Sequence, residues 1–260
     1  MRNRVLIIFF AIVIIYSKLE AIERRVDQFP SDFGYLTLPL PYVIPGAGMG
    51  LGFLGGFNNV PFGDTKTTLD IFGILITGDI GGGIVLATDV PVIPEMFLLD
   101  IGQGNFDKGS FRSYRDRRMN SDPDDYVISE LSDTQFRFTR LTLTFFERLL
   151  DIFTFETRNK STLSAIRDKD GDLIYETEQS FDGVSRSNGF QIDYTDDRTD
   201  PQKGFKFIYT NSDSPASNSD SPDYYVQNYN FTAYLPVLSY STFAFNWYRS
   251  GAIVRKQGNT

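Results

Sequence analysis

The sequence predicts an all-β protein: an antiparallel transmembrane β-barrel of about ten strands behind an N-terminal signal peptide. Three observations predict it. Aromatic and polar residues alternate with period two in segment after segment. Turn residues punctuate those segments at hairpin spacing. An apolar run opens the chain, and no second run of that kind follows it.

Composition narrows the function classes. Aromatic residues make up 15% of the 260 residues, with 24 Phe, 14 Tyr and one Trp. The net charge of −8 argues against a nucleic-acid partner, which calls for a basic face. The chain has no Cys, which removes disulfides, thiolate chemistry and a lipoprotein acyl site. It has no His, which removes a Ser-His-Asp triad, a His-ligated metal and a His general base. The expectation is a protein that is not an enzyme and carries no cofactor or transition metal.

Residues 1–21 read as a signal peptide. Arg2 and Arg4 give a basic start, residues 5–16 are apolar without a break, and Ala21 suits the last position before cleavage. Twelve apolar residues are short for a membrane helix, which needs about 20. Residues 22–40 read as a short periplasmic lead-in, and residues 41–260 as the barrel.

Within residues 41–57, Gly46, Gly48, Gly50 and Gly52 alternate with apolar side chains. A phosphate-binding loop would need a helix after it, and Asn58-Asn59-Val60-Pro61 starts none. The run reads instead as the first barrel strand, its glycines turned to a crowded interior. Gly weakens a strand's hold on its neighbours, so this strand is the candidate for an openable seam.

Residues 68–77 and 83–89 read as two strands joined by a Gly-rich turn, and residues 96–101 as a third. Residues 105–132 read as a long solvated loop of mixed charge. In residues 134–146, Phe136 and Phe138 share one phase while Leu141, Leu143 and Phe145 share the other, which predicts a β-bulge near Arg140. Asp168 to Asp172 faintly matches a calcium loop. Leu173 sits where the loop needs Gly, and Gln179 replaces the closing Glu, so a hairpin turn at Asp170-Gly171 is the reading. Near the end, Tyr229, Phe231, Ala233 and Leu235 alternate with polar residues, as do Phe243, Phe245 and Trp247.

The most informative stretch is residues 189–205. Phe190, Ile192 and Tyr194 point one way and Asp193 the other. Asp196, Asp197, Arg198 and Asp200 follow, then a turn set by Pro201 and Gly204, then a strand opening on Phe205. This hairpin has one aromatic face and one acidic face. Asp193 is expected to face the interior, and Arg198 to be the only local cation among the carboxylates.

Asp193-x-x-Asp196-x-Arg198-x-Asp200-Pro201-x-x-Gly204-Phe205 resembles a segment in barrels of the BamA and TamA type, the bacterial surface antigen family. The resemblance implies a bacterial outer-membrane location and work in inserting or translocating other membrane proteins without covalent chemistry. It implies partners that are outer-membrane lipid and client proteins. It also implies sixteen strands, folded modules ahead of the barrel, and an inward loop bearing Arg-Gly-Phe or Arg-Gly-Tyr. Residues 22–40 are too short for such a module, and no Arg-Gly pair occurs in the chain. The expectation is therefore a barrel incomplete at its C-terminal end, with a natural ten-strand barrel as the alternative. Two functional rivals stand beside the leading reading. One is a passive porin-like or structural barrel; the other is a secreted soluble β-sandwich that binds a ligand.

Overall fold

The computed structural model describes residues 32–44, 47–114, 124–217, 222–238 and 241–257. The signal-peptide reading and Gly46 lie outside these residues. The described chain is eleven antiparallel strands in one sheet, each paired with the next in sequence. They are β1 (Gly34–Ile44), β2 (Gly48–Pro61), β3 (Thr68–Gly78), β4 (Gly81–Ile93), β5 (Phe97–Tyr114) and β6 (Tyr126–Phe145). β7 (Leu150–Arg167), β8 (Leu173–Thr195), β9 (Gly204–Ser214), β10 (Asp223–Leu238) and β11 (Ser241–Lys256) complete the order. No helix occurs among the described residues. β1 and β11 are not paired with each other, so the sheet is open and not closed into a barrel. No second sheet packs on it among the described residues, which removes the sandwich architecture.

The shortest strands have 11 residues and the longest 23. Soluble proteins average about 5–6 residues per strand, and a tilted membrane strand needs about 9–11. Every strand here meets the second requirement.

Register fixes which residues share a face. We call the face carrying Asp193 inner and the other outer. Asp193 lies opposite Lys206, and its flanking residues Ile192 and Tyr194 lie opposite Phe207 and Phe205. One outer row runs Leu143, Ile152, Phe190, Tyr209, Tyr229 across β6 to β10. On the other side of the sheet, Phe53 pairs with Leu75, and Ile71 with Ala87 and then Ile101. The outer face thus carries an apolar band from β2 to β11, interrupted by Arg249 opposite Tyr229, with Leu75, Val85, Ile152 and Phe245 all exposed. The inner face holds the buried polar groups instead: Thr142, Thr144, Asp151, Gln191, Asp193 and Thr195. Only Leu98, Phe153 and Ala165 are buried hydrophobics among the described residues. A soluble domain of this size buries its large apolar side chains; this sheet leaves most of them exposed and buries four carboxylates, Asp151, Asp193, Asp196 and Asp197.

Several expectations are corrected. The sheet begins at Gly34, inside the stretch read as a lead-in. The glycine-rich run is divided: residues 41–44 end β1, while Gly48, Gly50 and Gly52 lie on β2. β2 is hydrogen-bonded on both sides, so the glycines do not sit on an edge strand. β5 and β6 extend to Tyr114 and from Tyr126, replacing most of the expected long loop. The long strand has no bulge near Arg140, which is in regular register with Asp100 and Phe155. The register shifts of this strand against β7 lie earlier, between Glu130 and Leu131 and between Ser132 and Gln135, where Asp133 has φ 47°. Phe136 and Phe138 misled the phase because they are inner-face aromatics. Phe138 lies across from Gly102, and its ring covers the space a side chain there would take. The turn at Asp170-Gly171 is present, with Gly171 at φ 92°.

Candidate functional site

The site is built where strands turn at one end of the sheet. Four connections meet there: β2–β3, β4–β5, β6–β7 and β8–β9. β4 ends with a bulge that leaves Asp89 at φ 55°. The Asp89 N–H donates to Asp100 Oδ1 on β5 at 2.8 Å, which fixes this unusual backbone. The same device occurs one hairpin earlier, where Asn59 at φ 54° donates its N–H to Asp70 Oδ1 at 2.7 Å.

Held this way, the Asp89 carboxylate accepts two hydrogen bonds from Arg148 in the β6–β7 turn, at 2.9 and 2.8 Å. This fork-on-fork geometry is the strong form of the Arg–carboxylate pair. Arg148 in turn offers its carbonyl oxygen to Arg198 Nη1 at 3.2 Å. Arg198 comes from the β8–β9 turn and reaches Asp151 Oδ2 at 3.5 Å and Asp193 Oδ2 at 3.9 Å. Lys206 approaches Asp193 Oδ2 at 3.3 Å. Arg140 lies opposite Asp100 and stacks over the Phe153 ring, 4.2 Å from its centroid. Four carboxylates (Asp89, Asp100, Asp151, Asp193) and four cations (Arg140, Arg148, Arg198, Lys206) therefore share one end of the inner face.

Burial sets the stakes. Asp151 is 1% exposed and Asp193 is fully buried, so each must have a cation close by. Burial pushes the Arg198 guanidinium below its ordinary pKa, and Arg148 nearby acts the same way, against Asp151 and Asp193. Burial also disfavours the Arg148 charge, but the hydrogen bonds and charge of Asp89 outweigh it and leave that pKa raised. Arginine stays charged through shifts of this kind. The arrangement is a charge-compensated scaffold. Among the described residues no three carboxylates converge as a metal site.

The predicted motif residues divide into two groups. Asp193 and Arg198 join the cluster. Asp196 and Asp197 instead hold the turn backbone. Asp196 Oδ1 accepts the N–H groups of Gln202 and Lys203, both at 2.9 Å, and Asp197 Oδ1 accepts those of Thr199 and Asp200. Asp200 is exposed, and Pro201 sits within the loop that these bonds close. Gly204 takes φ 109°, where a Cβ would run into the Tyr194 carbonyl oxygen. Phe205 faces outward and packs on Tyr194 and Phe231. Arg198 is not the only local cation, because the register brings Lys206 directly across from Asp193. Gly48, Gly50 and Gly52 lie on β2, away from this hairpin in the strand order.

Sequence reasoning missed Asp89, Asp100, Arg140, Arg148, Asp151 and Lys206 as members of the cluster. A signal was present: Leu-Asp-Ile recurs at 69–71, 99–101 and 150–152, each at the start of a strand rising from this end. Asn59 and Asp89 are each followed by Val-Pro.

One cross-strand row adds a further feature. Thr144, Asp151 and Gln191 lie opposite one another, and all three are buried. Thr144 Oγ1, Asp151 Oδ1 and Gln191 Nε2 have no hydrogen-bond partner among the described residues. The chain matches no protein-family model and no curated protein.

Proposed function

We propose that this chain forms the wall of a bacterial outer-membrane β-barrel that helps insert or translocate other membrane proteins, by physical means and without covalent chemistry. The observation that carries the membrane part is the division of faces: apolar side chains exposed on the outer face, charges buried on the inner. In lipid, long paired strands satisfy the backbone, and an apolar outer face costs nothing. Arg249 on the outer face lies beside Tyr229, and its long stem lets it reach the headgroup layer.

The assembly part rests on the motif resemblance, and two features support it. Edge strand β1 carries Pro39 and Pro41, which have no N–H to donate. A seam made with this strand is weaker than one made with an ordinary strand, so the openable element is β1 rather than the glycine-bearing β2. The unpaired polar atoms of the Thr144, Asp151 and Gln191 row are covered in this sheet, and a local rearrangement that admits an element from the inner side would pair them, because buried polar groups rarely stay unpaired.

A passive pore is the second reading. It is favoured by the neutral inner lining of β10 and β11, where Asn246 bonds Asn230 and Thr232 and Tyr248 bonds Asn228. The test is cellular. Depletion should lower the amount of other barrels in the outer membrane while solute permeability stays unchanged. Loss of solute uptake with normal barrel levels would favour the passive pore. Recovery of full-length chain in the cytosolic supernatant would remove both readings.

A further inference from the structure

Beyond the apolar band, the outer face of β6 to β9 changes character within one strand repeat. Arg137 lies directly opposite Arg158, and Glu156 opposite Arg186. All three arginines are exposed. Glu156 serves two of them, accepting from Arg158 Nε at 2.7 Å and from Arg186 Nε at 2.9 Å. Arg137 has no carboxylate partner among the described residues. Like charges placed directly across a ladder are destabilising unless an anion sits between them. Asp213 lies opposite Arg186 but is held by Arg255, so Glu156 is the one carboxylate in contact with the three guanidiniums and the group stays positive.

Immediately below lies a groove of about 380 Å³, lined by Leu150, Ile152, Phe190, Tyr209, Asn188 and Asn211. Ile152, Phe190 and Tyr209 belong to the apolar outer row. Asn188 and Asn211 face each other at its polar side, one repeat from Arg186. Successive residues on one face are about 6.7 Å apart along a strand, so Arg186 stands within a headgroup's length of the groove. Asn211 Oδ1 is buried and accepts no hydrogen bond among the described residues.

We infer that this face holds one anionic membrane lipid, its phosphate on Arg137, Arg158 and Arg186, its polar linkage on Asn188 and Asn211, and an acyl chain in the groove. The order apolar groove, amide pair, guanidinium group matches the order acyl chain, ester, phosphate. Guanidinium is the side chain best shaped for phosphate, donating two parallel hydrogen bonds to it. Asn188 and Asn211 sit where an ester carbonyl and a hydroxyl would lie. The inference rests on the membrane reading, since only a membrane brings lipid to this face.

The test uses the full chain purified in a nonionic detergent and titrated separately with phosphatidic acid and phosphatidylcholine, with bound lipid counted by native mass spectrometry. The wild-type protein should retain one phosphatidic acid in preference to phosphatidylcholine. The exposed triple variant R137Q/R158Q/R186Q should retain it about tenfold or more weakly, as expected when charged hydrogen bonds are lost. E156Q, which frees two arginines, should retain it more tightly. Excess inorganic phosphate should not displace the lipid. Retention unchanged in the triple variant, or displacement by inorganic phosphate, would overturn the lipid site. Detergent dependence is measured on the same samples. A triple variant that still needs detergent but binds like the wild type sinks the lipid site alone, whereas a wild-type chain soluble without detergent sinks the membrane reading.

Discussion

Arg148 holds Asp89 with both terminal nitrogens, at 2.9 and 2.8 Å, from 59 residues further along the chain. The pair ties the β6–β7 turn to the end of β4. Arg148→Ala leaves Asp89 next to Asp100 without its cation. The expected loss is about 2–4 kcal/mol, the lower part of the range for breaking a buried pair, because Asp89 is partly exposed. Arg148→Ala combined with Asp89→Ala should cost less than the sum of the single changes. Urea unfolding of the folded protein in detergent measures all three. Strictly additive losses would show that the two side chains are not coupled.

Arg198 is predicted to matter far more than Lys203. Arg198 bonds the Arg148 carbonyl and serves Asp151 and Asp193, whereas Lys203 is exposed and gives its backbone N–H to Asp196. Arg198→Ala should cost about 2 kcal/mol or more, since it strips a cation from two buried carboxylates. Lys203→Ala should stay within about 0.5 kcal/mol, as for most surface changes. In cells, Arg198→Ala should also impair assembly of other barrels more than Lys203→Ala does. Equal responses to the two changes would reduce the cluster to an ordinary turn.

Gly204 is the backbone hinge of the same hairpin. Its φ of 109° is closed to side chains, and Tyr194 O lies where a Cβ would go. Gly204→Ala should cost about 1–3 kcal/mol, the usual price of a strained backbone. Gly251→Ala is the control, because nothing lies within 4 Å of a Cβ there. That change should be neutral or slightly stabilising, as the unfolded chain loses freedom. Thermal midpoints of the two variants compare them directly.

Much of this hairpin is legible in the sequence. Alternation alone put Phe190, Ile192 and Tyr194 on one face and Asp193 on the other, and Pro201 with Gly204 marked the turn. The cluster was not legible, for a physical reason. Local pattern gives the face of each residue but not its partner across the sheet, and Asp89, Arg148 and Arg198 meet only through the register of six strands. Lys206 was within reach, since counting back from the turn places it opposite Asp193. Phe136 and Phe138 showed the opposite failure. Their phase was read as evidence of a bulge near Arg140, while both lie on the inner face in regular register, Phe138 over Gly102.

That last point predicts a rescue. Gly102 accommodates the Phe138 ring, which occupies the place of its missing side chain. Gly102→Ala should overpack the pair and cost about 1–3 kcal/mol. Adding Phe138→Leu should return part of that loss. A double variant no better than Gly102→Ala alone would show that the ring is not the obstacle.

The central claim is that the outer face meets lipid and the inner face meets water or protein. The chain lacks Cys, so single cysteines can report on each position in turn. Phe207, Phe231 and Phe245 take the outer positions, and Lys206, Thr232 and Asn246 the inner ones. Each cysteine is tagged with a fluorophore in the protein reconstituted into vesicles, and quenching is measured with quenchers attached to lipid acyl chains and with quenchers dissolved in water. The account predicts strong lipid quenching at the three outer positions and weak lipid quenching at the three inner ones. Equal access of the aqueous quencher to both sets, with no lipid quenching at either, would contradict it.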